Sequence, residues 1–241
     1  MTDERPQPDT GWEHIASVAG ELAHEIKNPL STIKLNLQLL EEDWADPKTA
    51  REKRTVRKLG VVRKEVQRLT HTLDEFLRFI RVEGIRLQPT DMNELAAEVA
   101  EFVEPELTRA KIELREQYAQ RMPRCMADPK LLKQAILNLV LNAQQAMPGG
   151  GELILRTSCA DGMVGIEVID TGAGVPEDIR DRIFDLFFST KKDGSGLGLA
   201  VTKRIVGQHA GSVTLHSESG KGTDFMIRIP ASDDELSAEN K

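Results

Sequence analysis

The sequence predicts an α plus α/β chain in two parts: a helical hairpin that pairs into a dimeric four-helix bundle, then an α/β sandwich. Three observations lead there. Apolar residues in the first third recur in steps of three and four, the period of a helical seam. From about residue 90 that period gives way to short β-branched runs alternating with helical stretches. Aromatic residues make up only 4% of the chain, so its cores are built from Leu, Ile, Val and Ala.

Composition narrows the function. With 241 residues, 39% hydrophobic and 29% charged, the chain is long enough for one large domain or two small ones. A net charge of −7 argues against direct nucleic-acid binding, which rests on phosphate neutralisation by Lys and Arg. The basic run Arg51 to Arg57 reads as a solvated helix face. Cys125 and Cys159 lack metal-ligand spacing and suggest a reducing, cytoplasmic setting rather than a disulfide framework. Residues 1–11 are polar and expected to be flexible, with no signal-peptide core, and no stretch approaches the ~20 apolar residues of a membrane span.

The first helix is expected from Trp12 to about Trp44, with its seam at Leu22, Ile26, Leu30, Ile33, Leu37, Leu40 and Trp44 and a bend near Asn28 and Pro29. Asp46 as N-cap and Pro47 at the first helical position open a second helix to about Arg81. Its seam is Leu59, Val62, Val66, Leu69, Leu73, Phe76 and Ile80. One hairpin (12–83) cannot cover both stripes, so a homodimer is expected. A linker over 84–89 follows, then an α/β domain over 90–230 and a disordered tail over 231–241. Within that domain helices are expected over Asp91–Phe102, Asp128–Met147, Ile179–Phe184 and Gly198–His209. Strands are expected over Ile112–Glu116, Glu152–Ser158, Met163–Asp170, Gly211–Ser217 and Thr223–Ile229.

Two regions carry chemistry. In His24-Glu25-Ile26-Lys27-Asn28-Pro29-Leu30, His24 falls between seam positions and should project from the bundle. A neutral imidazole is a good nucleophile near pH 7. Glu25 is placed to take a proton or orient the ring, and Asn28, one turn on, to position a water. A lone His-Glu pair is more often a solvated helix face. The second region has four segments in order. Asn138 and Asn142 share a helix face, and amide oxygen suits the hard cation Mg²⁺. Asp170-Thr171-Gly172-Ala173-Gly174 ends a strand; its carboxylate can accept from the exocyclic amine of adenine while the glycines admit the ring. Phe184 to Lys192 brings aromatics and Lys191, a point charge for phosphate. Gly194, Gly196, Leu197 and Gly198 open a helix whose N-terminus suits phosphate. Gly220-Lys221-Gly222-Thr223 then forms a turn. Each segment alone also reads as an ordinary turn, plug or structural hydrogen bond.

Together these segments resemble a known family. The first run is similar to the H-box of the dimerisation and phosphotransfer domain of sensor histidine kinases. The later ones resemble the N, G1, F, G2 and G3 boxes of the histidine-kinase ATPase domain, of the gyrase, chaperone and histidine-kinase (Bergerat) type. The wording Asn-Ala-Gln-Gln-Ala-Met and Phe-Phe-Ser-Thr-Lys looks most like the nitrogen-regulation-type sensor kinases. The resemblance spans about residues 12–230. It implies that His24 is the phosphoacceptor, Glu25 its base, and Asn28 a residue of phosphatase activity. It implies ATP and Mg²⁺, with Asn142 as metal ligand and Asp170 on adenine. Asn138, Gly172, Gly174, Lys191, Gly194, Gly196, Leu197, Gly198 and Thr223 would complete the nucleotide site, with 174–198 as its lid. The implied partners are a second copy, a response-regulator receiver domain and an upstream sensor outside this chain. Hydrolytic relatives carry glutamate where this chain has Asn138; a neutral amide is a poor base, so ATP should be kept for His24. An ATP-driven clamp, a serine-kinase anti-sigma factor and an ATP-independent scaffold remain as rivals.

Overall fold

The computed structural model describes residues 10–80, 85–191 and 194–232; within its helices the side chains at 10–19, 21, 22, 24, 71, 75 and 78–80 also lie outside the description. Residues 1–9 of the expected flexible N-terminus, residue 84 of the expected linker and most of the expected tail fall outside the described residues, while Thr10 and Gly11 already belong to the first helix. The chain divides into two compact units, Met1–Glu83 and Gly84–Lys241.

The first unit is a hairpin of α1 (Thr10–Asp43) and α2 (Ala50–Ile80). The heptad seam resolves into two stripes. Ala23 (1% exposed), half-buried Leu30 and Leu37 (7%), seven residues apart, face α2, where Val66 (6%) and half-buried Leu59 and Leu73 repeat the same spacing. Ile26 (50%), Ile33 (44%) and Leu40 (42%) form a second stripe that one copy leaves in solvent, as do Val62 and Leu69 on α2. Lys27 Nζ lies 2.8 Å from Asp74 Oδ1, and Arg63 Nε 3.0 Å from Glu41 Oε1, fixing the hairpin's register from both ends. α1 runs through Pro29 without interruption. Proline returns no N–H to the Glu25 carbonyl, while the Ser31 and Thr32 hydroxyls donate to the Lys27 and Asn28 carbonyls.

The start of α2 differs from expectation. Asp46 is not its N-cap; the helix opens at Ala50 behind Thr49. Thr49 Oγ1 accepts the Glu52 N–H, and Glu52 Oε2 accepts the N–H groups of Thr49 and Lys48. This reciprocal capping box satisfies more orphan donors than one aspartate does.

The second unit is a five-stranded sheet backed by three helices. The strands are β2 (Ile112–Gln117), β4 (Gly151–Ala160), β5 (Met163–Asp170), β6 (Ser212–Glu218) and β7 (Gly222–Pro230). Their order is β2-β4-β5-β7-β6, antiparallel except for the parallel β2–β4 pair. Two short strands missed in the sequence, β1 (Gln88–Thr90) and β3 (Cys125–Ala127), pair separately, so the expected linker already contains a strand at its end. Ser232 N–H donates to Arg124 O, carrying ordered chain two residues past Pro230.

The helices are α3 (Met92–Arg109), α4 (Pro129–Ala146) and α5 (Gly198–Gln208). α3 extends past Phe102 and through Pro105, because Val103 and Leu107 continue its buried stripe. Asp91 caps α3 through the N–H groups of Asn93 and Glu94. Leu132, Ala135, Ile136 and Leu139 of α4 join Val201 and Ile205 of α5 in a core against Val164, Ile166 and Val168 of β5 and Phe225, Ile227 and Ile229 of β7, all at 5% exposure or less. The expected helix near Ile179 is a short 3-10 helix, Glu177–Arg182.

Candidate functional site

On the second unit, the ends of β5 and β7 meet α4 and the start of α5. Asp170 is the last residue of β5, opposite Thr223 of β7, and is 4% exposed. Its Oδ1 accepts the Gly172 N–H at 2.8 Å. Burial raises its pKa above the ordinary carboxylate range, with the Gly172 and Thr223 donors and the Lys191 ammonium working against that. A carboxylate has about four lone-pair sites, so Asp170 can receive a further donor from a ligand.

Glycine is required around it. A Cβ at Gly172 would lie 2.8 Å from both the Cβ and the carbonyl oxygen of Ala146, where α4 ends. At Gly174, with φ +70°, it would lie 2.2 Å from Glu218 O. Ala173 is tied on both sides, its N–H to Ala146 O and its carbonyl to the Gly220 N–H. The tightest position was read in the sequence only as part of a turn: Gly222 has φ +100°, and a Cβ there would fall 1.9 Å from Asp170 O. The Gly-Lys-Gly-Thr spacing was the available signal; the approach of β7 to β5 was not visible in it.

α4 supplies the opposite wall. It starts at Asp128, whose Oδ1 accepts the Lys130 and Leu131 N–H groups and whose Oδ2 accepts the Arg86 N–H. Burial opposes the charge on Asp128, yet these donors hold its pKa below the usual range. The Asp128 N–H in turn donates to Nε2 of buried His209, whose Nδ1 faces Ile205 O at 2.7 Å. His209, in the sequence only the end of the last expected helix, thus joins the start of α4 to the end of α5.

Asn138 has a partner the sequence did not suggest. Its Nδ2 donates to Gly198 O at 3.1 Å, and the Thr202 hydroxyl donates to the same carbonyl at 3.0 Å. Asn138 thereby fixes the first residue of α5, while Leu197, 0% exposed, anchors the turn before it. Asn142, one turn further along α4, accepts through Oδ1 from Lys191 Nζ at 3.2 Å. Gly194 and Gly196 shape the approach to α5: a Cβ would lie 2.3 Å from Ser189 Oγ at Gly194 and 2.4 Å from Phe187 C at Gly196. Phe184 packs edge-on against Phe225 at 6.4 Å, and Phe187 is 59% exposed with φ +63°.

Thus Asn138, Asn142, Asp170, Gly172, Gly174, Lys191, Gly194, Gly196, Leu197, Gly198 and Thr223 gather at one end of one unit. Glu25 and Asn28 lie exposed on α1 of the other. His24 is on α1 by its backbone, but its side chain, and the expectation that it projects outward, lie outside the described residues.

Residues 16–85 match the His Kinase A (phospho-acceptor) domain, and residues 127–233 the Histidine kinase-, DNA gyrase B-, and HSP90-like ATPase family. The sensor histidine kinase ZraS of Escherichia coli is 35% identical over 216 residues, covering 90% of this chain and 45% of that protein. Full-length ShkA in complex with AMPPNP superposes with a TM-score of 0.70 at 31% identity, over 90% of this chain and 46% of that one. ThkA in complex with the response regulator TrrA gives 0.65 at 25% identity, over 91% and 62%. The chain spans less than half the length of ZraS. Among the described residues no helix is long and apolar enough to cross a membrane.

Proposed function

The chain belongs to the histidine kinases through both of its domains, and from that premise we propose that it is a two-component kinase core working in the cytoplasm, which phosphorylates its own His24 from ATP and passes the phosphoryl group to an aspartate of a response-regulator receiver domain. The observation that carries the nucleotide site is the buried carboxylate of Asp170 at the end of β5, set among glycines at which any side chain would collide with the neighbouring chain.

In this reading Asp170 accepts from the purine amine, and Gly172, Gly174 and Thr223 keep the wall close to it. The loop over Gly194, Gly196 and Leu197, with the N-terminus of α5 at Gly198, receives the phosphates. Asn138 holds that N-terminus in position. Lys191 neutralises phosphate charge, and residues 174–198 close over the nucleotide. Asn142 fits a hard cation: its Oδ1 already accepts from an ammonium, so the oxygen faces a place of positive charge. Mg²⁺ held there would neutralise the triphosphate.

A neutral ring nitrogen of His24 attacks the γ-phosphorus. The bond to the bridging oxygen breaks, ADP leaves, and Glu25 takes the ring proton. A receiver carboxylate then displaces the imidazole and carries the phosphoryl group away. Asn28 orients the water that hydrolyses the receiver's aspartyl phosphate to carboxylate and inorganic phosphate, the phosphatase activity toward that partner. The uncovered Ile26-Ile33-Leu40 stripe supports a second copy completing the bundle.

The test is incubation of the protein with γ-labelled ATP and Mg²⁺ beside His24→Gln and Asn142→Ala. Acid-labile, alkali-stable label that both variants lose is expected. A wild-type protein that binds nucleotide as a folded dimer and takes up no label would overturn the kinase reading in favour of an ATP-independent scaffold.

A further inference from the structure

Asn138, Asn142 and Gln145 follow one another at steps of four and three on α4, a single stripe of the helix. Asn138 is committed to the start of α5. The next two converge on one atom: Lys191 Nζ lies 3.2 Å from Asn142 Oδ1 and 2.6 Å from Gln145 Oε1. An ammonium only donates, so both amides must turn their oxygens to it.

The backbone that carries Lys191 is held for this reach. Ser189 Oγ accepts the Lys191 N–H at 3.1 Å and donates to the Lys191 carbonyl at 3.3 Å, and the Gly194 N–H donates to the same carbonyl. Phe187, in the left-handed region, gives its N–H to Gly196 O. The part of the segment around Ser189–Lys191 is thus tied to α4 through the lysine. Under the proposed function, Asn142 Oδ1 is the oxygen a metal ion must occupy. Two cations a few ångströms apart repel, so ammonium and metal cannot share it at full strength.

We propose that Lys191 is the resident cation of Asn142 in the nucleotide-free protein, with Gln145 as the positioning residue that keeps it there, so that metal and ammonium exchange on one amide oxygen. The inference rests on the reading of Asn142 as the metal ligand. Loading the metal frees Lys191 to turn to the phosphates, and the loop it carries moves with it. Gln145 holds the lysine only in the nucleotide-free arrangement, which opposes metal entry. Weakening Gln145 therefore favours the loaded state.

The test uses Gln145→Leu, an exposed helical position where leucine keeps helix propensity. Lysine side chains are labelled at Cε, and the Lys191 signal is assigned by its loss in Lys191→Arg. In nucleotide-free wild type that signal should stand apart from those of solvated lysines and should join them in Gln145→Leu. Titrating Mg²⁺ against a fluorescent, non-hydrolysable ATP analogue, Gln145→Leu should need about 2- to 10-fold less metal for half-saturation, the worth of one hydrogen bond. A wild-type Lys191 signal indistinguishable from solvated lysine overturns the latch. An unchanged or higher metal requirement in Gln145→Leu overturns the exchange. Absence of nucleotide binding in wild type at every metal concentration overturns the proposed nucleotide site instead, and the nucleotide-free signal then judges the latch by itself.

Discussion

Replacing Gly222 by alanine should open the junction of β5 and β7 and weaken nucleotide binding together with stability. Two costs add. Gly222 has φ +100°, which a side chain adopts only under strain of about 1–2 kcal/mol. The new Cβ would also sit 1.9 Å from Asp170 O and 2.9 Å from Asp170 C, well inside contact distance. Relief requires β7 to move away from β5 by more than an ångström at the pair Asp170–Thr223, the pair that holds the carboxylate. The clash falls on backbone and cannot be met by a rotamer change, so about 2 kcal/mol or more is expected beyond the strain. Gly220→Ala supplies the comparison. Its φ is +80°, but its Cβ would meet nothing within 4 Å, so it carries strain without the clash. In urea unfolding, Gly220→Ala should lose about 1–2 kcal/mol and Gly222→Ala about 3–4. A fluorescent ATP analogue should bind Gly220→Ala nearly as well as wild type and Gly222→Ala at least about tenfold more weakly. Equal losses in the two variants, or undiminished binding to Gly222→Ala, would refute the argument that this glycine serves the Asp170 carboxylate.

Asp128→Ala removes the cap of α4 and the acceptor for the Arg86 N–H; a loss of about 2 kcal/mol is expected in urea, with faster proteolysis near residue 86. Asp224 has a pKa raised by burial and by Glu167, with His216 and Arg156 opposing. A folded pKa above the unfolded one means the native state binds the proton more tightly, so this group favours folding at low pH and disfavours it once ionised. Asp224→Asn should therefore raise the unfolding midpoint at pH 7, with the gain shrinking to nothing as the pH falls to about 4; a gain that grows on acidification would contradict it. Ile33→Lys, at a position 44% exposed in one copy, should leave helix content intact and yield monomers by light scattering; an unchanged dimer would place the interface elsewhere.

The division between what was legible and what was not follows range. Heptad steps mark α1 and α2 because a helix repeats its face within a turn. They do not say which half of a stripe the hairpin covers and which half it leaves to solvent, since Ala23 and Ile26 both satisfy the period. The start of α2 was misjudged because Asp46-Pro47 and Thr49 with Glu52 are both start signals, and only the geometry of the Glu52 carboxylate decides between them. β1 and β3 were missed because each has three residues, too few for a period. Met163–Asp170 was legible to the residue, being a buried run closed by a glycine-rich turn.

The sequence by itself determined the order of the longer elements, the helix starts at Asp91 and Asp128, and the residue types gathered for nucleotide chemistry, because these depend on spacing within a turn or a strand. The tertiary structure alone decided that Asn138 holds Gly198, that His209 joins α4 to α5, that Gly222 lies against Asp170, and that Lys191 reaches Asn142 and Gln145. Each of those contacts links residues far apart in the chain, and only the pairing of β7 with β5 and the packing of α4 and α5 on the sheet bring their atoms within hydrogen-bonding or van der Waals distance.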